Sequence, residues 1–531
     1  MALTTFDYAA LLTIAGAAAY LYSHRRSNLP LPPGPRKLPL VGNLFNMPKS
    51  FEWEKYTEWA KEFDSDIIHL SVPGQSIVVL NTYDACVEIL EKRSRMYSSR
   101  PVLPMVGDIM KMDISPIIMP YGERWRARRR PMHGMLHPTA AAQFHPCIQK
   151  SVHTLLRAML DAGEDGLEPA LRHFAASTIL RVAYGIDVSD KDDPHVSEAE
   201  KALKILLAAT TADNFLVNVI PSLKYVPEWF PGGDFRRQGR EWRAFLMNAI
   251  DRPFQEVKQD TVRCPSVGPD SLQRTDASPK PSFTSLALEQ GVDDEVIRDT
   301  AGALYHAGTD STVVALLHFT LGMLDNPQAQ KRAQEELDAV LGPSKTPDGA
   351  PGQLPDLSYE PRLPFVTAIV RESLRWMPVT PLAIPHAYTS TEPDYGRYNS
   401  IVIANVWAMV HDGQVYPEPY AFKPERFLNI DGELDSAVRD PADIVFGFGR
   451  RVCPGRHVAY ASVWIAIASI LRVYNIEKAS PCAKLPDGTS IEPLREWVTG
   501  LVSQPKHFKC LFIPRCEEAE ALARSTIDIE Y

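Results

Sequence analysis

The apolar residues of this chain recur mostly at helical spacing, and one segment is apolar on nearly every face. It runs from Val296 to Leu324, behind Asp293-Asp294, which can cap a helix, and ahead of Asn326-Pro327, which stops one. Thirty-odd residues at about 1.5 Å each predict a helix roughly 50 Å long. Its all-round apolarity predicts burial through the centre of a domain. The middle, Ala307-Gly308-Thr309-Asp310-Ser311-Thr312, breaks the pattern with a glycine, an acid and three hydroxyls. These residues cost a buried helix propensity and desolvation. Hydroxyls bonding back to the preceding turn are expected to open the helical ladder there into a bulge. A second helix is predicted over Pro364–Trp376, with Glu372 and Arg375 three residues apart on one face. The body is therefore expected to be mainly α-helical.

A different pattern opens the chain. Tyr8 to Ser23 are sixteen uncharged residues, followed by His24-Arg25-Arg26. A membrane span takes roughly 17–25 apolar residues, so this is a short but adequate anchor helix. A cleaved signal peptide fits less well, because the positive charges follow the apolar run instead of preceding it. Arg25 and Arg26 would keep the remainder on the cytosolic side. The proline-rich stretch from Leu29 to Asn43 forbids helix and stiffens the chain into a linker. The organisation read from this is an anchor over 1–26, a hinge over 27–49, one catalytic domain over 50–516 and a tail over 517–531. Cys264 to Ser282, rich in Pro, Ser and Asp, reads as a surface loop within that domain.

Composition narrows the function classes. The 531 residues are 45% hydrophobic, enough for a large core, and the net charge of −9 with a pI near 5.9 argues against nucleic acid as a partner. Seven cysteines, at 86, 147, 264, 453, 482, 510 and 516, form no close pairs, the usage of a reducing compartment.

One of them stands apart. Cys453 lies in Phe446-Gly447-Phe448-Gly449-Arg450-Arg451-Val452-Cys453-Pro454-Gly455. Gly449 and Gly455 lack the Cβ that would hinder a tight turn around the sulfur. Amide N–H groups aimed at a thiolate would stabilise its charge and tune a bound metal. Arg451, two residues away, can pair with an anionic group on a cofactor. A buried free cysteine in a Gly-rich turn is the plainer alternative.

The order Phe-x-x-Gly-x-Arg-x-Cys-x-Gly resembles the haem-binding signature of the cytochrome P-450 family and matches it at all five fixed positions. Three more segments are similar to family motifs. Ala307–Thr312 resembles the oxygen-activation motif, with Asp310 as the acid, Ser311 at the alcohol position usually held by threonine, and Thr312 as the next hydroxyl. Glu372-x-x-Arg375 with Pro424-Glu-Arg426-Phe427 resembles the family's buried cluster that holds the cysteine loop. Trp125-x-x-x-Arg129 resembles the helix whose tryptophan and arginine reach haem propionates; of the neighbouring arginines, Arg126 and Arg128 are expected on a solvated face. His386 sits where relatives often place another propionate partner, against the alternative of an ordinary strand-end histidine. The resemblance runs from the hinge at residue 30 to about Arg515. It departs after Tyr398, where only Asn399 and Ser400 precede the strand beginning at Ile401, a shortened hairpin.

What the resemblance implies is a mainly α fold, a large helical domain with small β-sheets around a buried haem b. Its axial ligand would be the Cys453 thiolate, with Phe446, Arg451, Trp125, Arg129 and His386 around the cofactor. Asp310, Ser311 and Thr312 would handle protons. Electrons would come from NADPH through a separate reductase, with cytochrome b5 as an optional donor, since no Gly-x-Gly-x-x-Gly fingerprint follows a strand here. The implied place is the endoplasmic reticulum membrane, single-pass, with the catalytic domain cytosolic. The implied activity is monooxygenation of a lipophilic small molecule. The pattern is most similar to fungal enzymes of secondary metabolism, terpenoids leading and polyketide-derived aromatics second. A haem-dependent desaturase or rearrangement enzyme stays open, as does a haem electron carrier, against which the proton-delivery motif argues.

Overall fold

The structure is a computed structural model and describes residues 31–39, 41–73, 75–189, 193–210, 214–263, 280–343, 352–389, 400–479 and 497–529. The apolar run read as a membrane anchor lies outside these residues, as do most of the Cys264–Ser282 loop and the shortened hairpin. Among the described residues, no helix is long and apolar enough to cross a membrane. The chain divides into two compact units, one of the segments up to Pro101 and Leu382–Met409, the other of Val102–Pro381 and everything from Val410.

The smaller unit is built on a four-stranded sheet in the order β1-β2-β4-β3, made of β1 (Ile67–Val72), β2 (Gln75–Leu80), β3 (His386–Ala387) and β4 (Ile401–Ala404). β1 and β2 are antiparallel with Ile68 opposite Val79, and β2 runs parallel to β4 with Val79 opposite Ile403. Alternate residues share a face, so Ile68, Leu70, Ile77, Val79 and Ile403 form one apolar layer. Helix α1 (Glu52–Glu62) lays Tyr56 and Trp59, three residues apart, onto it. Beside β3, Ala387 N–H donates to Ser99 O at 2.9 Å.

The larger unit is helical. Its principal elements are α2 (Glu123–Leu136), α3 (His145–Leu160), α4 (Leu167–Tyr184), α5 (Asp234–Arg263), α6 (Asp294–Asp325), α7 (Pro364–Trp376) and α8 (Arg456–Val473). Two strand pairs, β5 (Tyr474–Lys478) with β8 (Cys510–Pro514) and β6 (Trp497–Val498) with β7 (Gln504–Pro505), complete it. The 32-residue α6 is the predicted central helix, packed against α2, α4, α5, α7 and α8. Asp293 caps it, accepting from the Glu295 and Val296 amides at 3.0 and 3.2 Å, a device that contributes about 0.5–2 kcal/mol. Gly308 has a steric reason. A Cβ there would stand 2.7 Å from Ile179 Cγ1 of α4, so any side chain would push the two helices apart.

The helix predicted over Pro364–Trp376 is α7, with those ends. Its Glu372 receives Arg375 Nε at 2.7 Å and Nη2 at 2.9 Å, Arg426 Nε at 3.2 Å, and the Lys423 amide at 2.6 Å. Arg375 donates further to the carbonyls of Val410, Pro419 and Ala421. The three side chains are buried together as the resemblance implied, and every charge has a partner, the condition for keeping ions out of water.

Candidate functional site

Cys453 is presented by a loop between a short helix, Ala442–Val445, and α8. Its own amide donates to Phe446 O at 2.8 Å, closing the loop on itself. The turn is made possible by Gly447 (φ 78°) and Gly449 (φ 58°), both in the left-handed region that side chains disfavour. Gly455 differs from expectation. Its φ of −88° suits any residue, and a Cβ there would meet nothing within 4 Å. Its contribution is the amide, which hydrogen-bonds toward the sulfur. Burial pushes the Cys453 thiol up, while the Gly455 amide and the charges of Arg129 and Arg456 pull it back down. The residue as a whole is half-buried, and its thiol is enclosed by the protein.

Helix α2 supplies the cations. Arg129 Nη2 donates to Val452 O at 2.6 Å, so it clasps the residue next to the cysteine. Burial lowers its pKa and the Cys453 charge opposes that shift. Trp125 is buried, and the Arg451 guanidinium lies over its ring at 4.4 Å while donating to Pro116 O (2.9 Å) and Met119 O (2.7 Å). Trp125, Arg129, Arg451 and Cys453 are thus brought together.

Arg128 corrects the sequence reading. It is buried, not solvated: Nε donates to Asp299 Oδ2 at 3.0 Å and Nη2 to Glu295 Oε1 at 2.8 Å, both on α6. The signal was present in the spacing, since Arg128 follows Trp125 by three and precedes Met132 and Met135 on the same inward stripe. Arg126 behaves as expected, exposed and paired with Glu123 at 2.9 Å.

The centre of α6 also departs from expectation. The helix runs without interruption from Asp294 to Asp325, with no bulge. Ser311 Oγ does bond back, to Ala307 O at 3.2 Å, but the carbonyl accepts it with the backbone ladder intact. Ala307 is exposed and Gly308 and Ser311 are half-buried, whereas Thr309, Asp310 and Thr312 are buried. Ala307 and Ser311, four residues apart, thus share the less buried face of an otherwise buried helix. Asp310 Oδ1 accepts from Arg172 Nη1 of α4 at 3.2 Å; burial raises its pKa and Arg172 opposes this.

Sequence reasoning passed over three residues here. The spacing of Glu168 and Arg172 shows a pair within one helix, but the reach of Arg172 to Asp310 carries no local signal, because Asp310 lies on another helix. His306 precedes Ala307 and is fully enclosed, its Nε2 without a hydrogen-bond partner among the described residues; burial lowers its pKa to about 4. Gly447 was hidden between the motif's fixed positions. In the smaller unit Arg100 is buried, donating to Ile384 O and Pro385 O at 2.6 and 2.9 Å, its pKa lowered to about 9 by burial. His386 belongs to that unit too, where its ring Nδ1 lies 2.7 Å from Tyr97 O. In the larger unit, Met105, Val106, Met110 and Met112 pack with Phe215 and Val217 in one apolar cluster.

These features define a helical protein that offers an enclosed cysteine sulfur to a metal beside a belt of arginines. The family model for Cytochrome P-450 matches residues 32–512. Cytochrome P-450 monooxygenase 98 of Postia placenta is 42% identical, over 96% of this chain and 96% of its own length. Cytochrome P-450 monooxygenase ple1 of Rhodocybe pseudopiperita is 37% identical over 97% and 95%, and tryptamine 4-monooxygenase of Psilocybe cyanescens 35% over 96% and 97%. The chain belongs to the cytochrome P-450 family of monooxygenases. That family works with haem b on a cysteine thiolate and with electrons supplied by a reductase.

Proposed function

We propose that this protein is a membrane-anchored haem-thiolate monooxygenase of the endoplasmic reticulum that oxidises a lipophilic small molecule in fungal secondary metabolism. The observation that carries it is the Cys453 loop, an enclosed sulfur with the Gly455 amide and Arg129 and Arg456 acting on it. The donor set fits the cofactor: one soft thiolate for iron, and Arg129, Arg451 and Trp125 positioned to hold the carboxylates of its rim. When bound, haem supplies the activation of O₂ and its insertion into substrate. The chain's own residues do the rest. Cys453 gives up its proton to ligate, and the Gly455 amide steadies the charge that remains. Asp310 takes protons from solvent and passes them toward the accessible face of α6. Ser311, on that face with Ala307, is the hydroxyl that receives them, and Thr312, buried one position on, is the reserve. For the substrate, the Met105–Val217 cluster favours an apolar terpenoid. A polyketide-derived aromatic comes second, and the relative named for tryptamine adds a small aromatic amine. Desaturation or rearrangement on the same scaffold is a further outcome of the substrate assay.

The test is spectroscopic and then catalytic. Cys453→Ala is expected to lose the strongly red-shifted band of the reduced, carbon-monoxide-bound form, and retention of that band would refute the ligand assignment. Turnover with NADPH, a reductase and a panel of terpenes, aromatics and indole amines then names the class. Absence of NADPH-dependent product across all of them, with the thiolate band intact, would leave an electron carrier.

A further inference from the structure

A cleft of about 470 Å³ in the larger unit shares no residue with the Cys453 site. One wall is α3, whose His145, Gln149 and His153 recur at i, i+4 and i+8 and so stand on one face. The opposite wall is the segment around Asp356, whose Oδ1 accepts the Ser358 amide at 2.7 Å and is thereby fixed in place. The buried Ile465 of α8 forms the floor. Ile529 closes the rim, brought there by a further helix, α9 (Glu517–Ser525), which turns Ala519, Leu522 and Ala523 inward and packs on α3 and α8. Arg157 of α3 ties that segment down, donating to Thr526 Oγ1 at 2.7 Å. Both α9 and Ile529 lie past residue 512, where the match to the family model ends.

The lining selects a ligand by charge. Burial lowers the pKa of His145, and burial with the nearby Arg157 charge lowers that of His153 to about 4, so both imidazoles are neutral at pH 7. The Asp356 carboxylate is then the one charge among the lining residues. Arg157 is turned to the Thr154 and Thr526 hydroxyls. An anion would meet a carboxylate with no cation to offset it. A metal ion is disfavoured too, because among the described residues no three His, Cys, Asp or Glu side chains are grouped to hold one. An organic cation fits. Its N–H groups can donate to Asp356 and to the Gln149 amide oxygen while its apolar body covers Ile465 and Ile529. The volume lies within the range of about 300–1,000 Å³ that takes a small organic ligand. We propose that this cleft is a second binding site, for a small lipophilic amine in its ammonium form, with Asp356 as counter-ion and Ile465 and Ile529 as the apolar seat. The proposal is independent of the oxidation chemistry above.

The probe is 4-(4-fluorophenyl)butylamine, with 4-(4-fluorophenyl)butan-1-ol as its uncharged counterpart. Fluorine NMR follows each against the full-length enzyme, reduced and closed with carbon monoxide so that the amine cannot ligate iron. The amine is expected to bind with a Kd of about 0.1–1 mM, the range for about twelve non-hydrogen atoms. The alcohol should bind about tenfold more weakly. Asp356→Asn, which keeps an acceptor for the Ser358 amide, should weaken the amine by a similar factor and leave the alcohol unmoved. Gln149→Trp, which fills the cleft, should remove the amine's binding there; Ser358→Trp, at the exposed lip, decides the point should Gln149→Trp fail to fold. The carbon-monoxide band should be unchanged in every variant, so its loss would speak to the haem site and not to the cleft. Equal binding of amine and alcohol, an Asp356→Asn variant that binds the amine as before, amine binding unchanged in the filled cleft, or no binding at millimolar amine each overturns the proposal.

Discussion

Ser311 and Thr312 are consecutive residues about 100° apart around α6, and that rotation gives them different surroundings. Ser311 shares the less buried face with Ala307, four residues earlier, while Thr312 is buried. Ser311→Ala is therefore expected to keep haem content but to divert NADPH into peroxide, with product falling toward the ~10²–10⁴-fold that a general acid contributes. Thr312→Ala should couple nearly normally, and Ser311→Thr should match or exceed the native residue. The reverse pattern, normal coupling in Ser311→Ala and collapse in Thr312→Ala, would transfer the role. Residue identity made both hydroxyls visible in the sequence, but their different exposure is a property of the packed helix.

At the scale of elements, the junction of α2 and α6 rests on Arg128 and Asp299. Asp299 is buried and also accepts from Arg298 at 2.8 Å. Removing one partner of a buried pair costs about 3–5 kcal/mol, and Arg298 should keep the loss at the lower end. Arg128→Met is expected to lower stability by about 3 kcal/mol in denaturant unfolding, and to loosen the arginine belt by freeing α2. Arg128→Met with Asp299→Leu should regain most of the loss, since no charge is then stranded. A single variant as stable as the unaltered protein would show that the pair holds nothing. The bulge expected in α6 failed for a related reason: local back-bonding by Ser311 competes with the ladder, and packing against α4 on the Gly308 side keeps the helix closed.

For the whole molecule, three enclosed imidazoles give a pH dependence. Burial lowers His153 and His306 to about 4 and His318 to about 3, from an ordinary 6.5. The unfolded chain then binds more protons than the folded one between these values. Stability is complete above about pH 6.5 and falls as the pH drops toward 4, by roughly 3 kcal/mol for a fully buried histidine such as His306. A denaturation midpoint flat from pH 7 to 4 would contradict this. The second whole-molecule expectation is the anchor. Deleting residues 1–26 should move much of the protein out of the membrane fraction with the thiolate band intact, and a full-length protein recovered as freely soluble would count against the Tyr8–Ser23 reading.

Several features were settled by local order along the chain. The caps and stop of α6, the ends of α7 and the Phe446–Gly455 motif all depend on neighbours within a few residues, where spacing, proline and glycine act directly on the backbone. The cluster of Glu372, Arg375 and Arg426 was not settled that way: there the resemblance, not the spacing, joined two distant segments. Only tertiary structure decided which arginine of the 124–130 run turns inward, which hydroxyl of α6 is the less buried, and that Arg172 meets Asp310. The physical reason is the same in each case. Burial and pairing of a charge depend on the element packed against it, and Asp299, Ile179 and Glu168 lie on helices far along the chain from Arg128, Gly308 and Asp310.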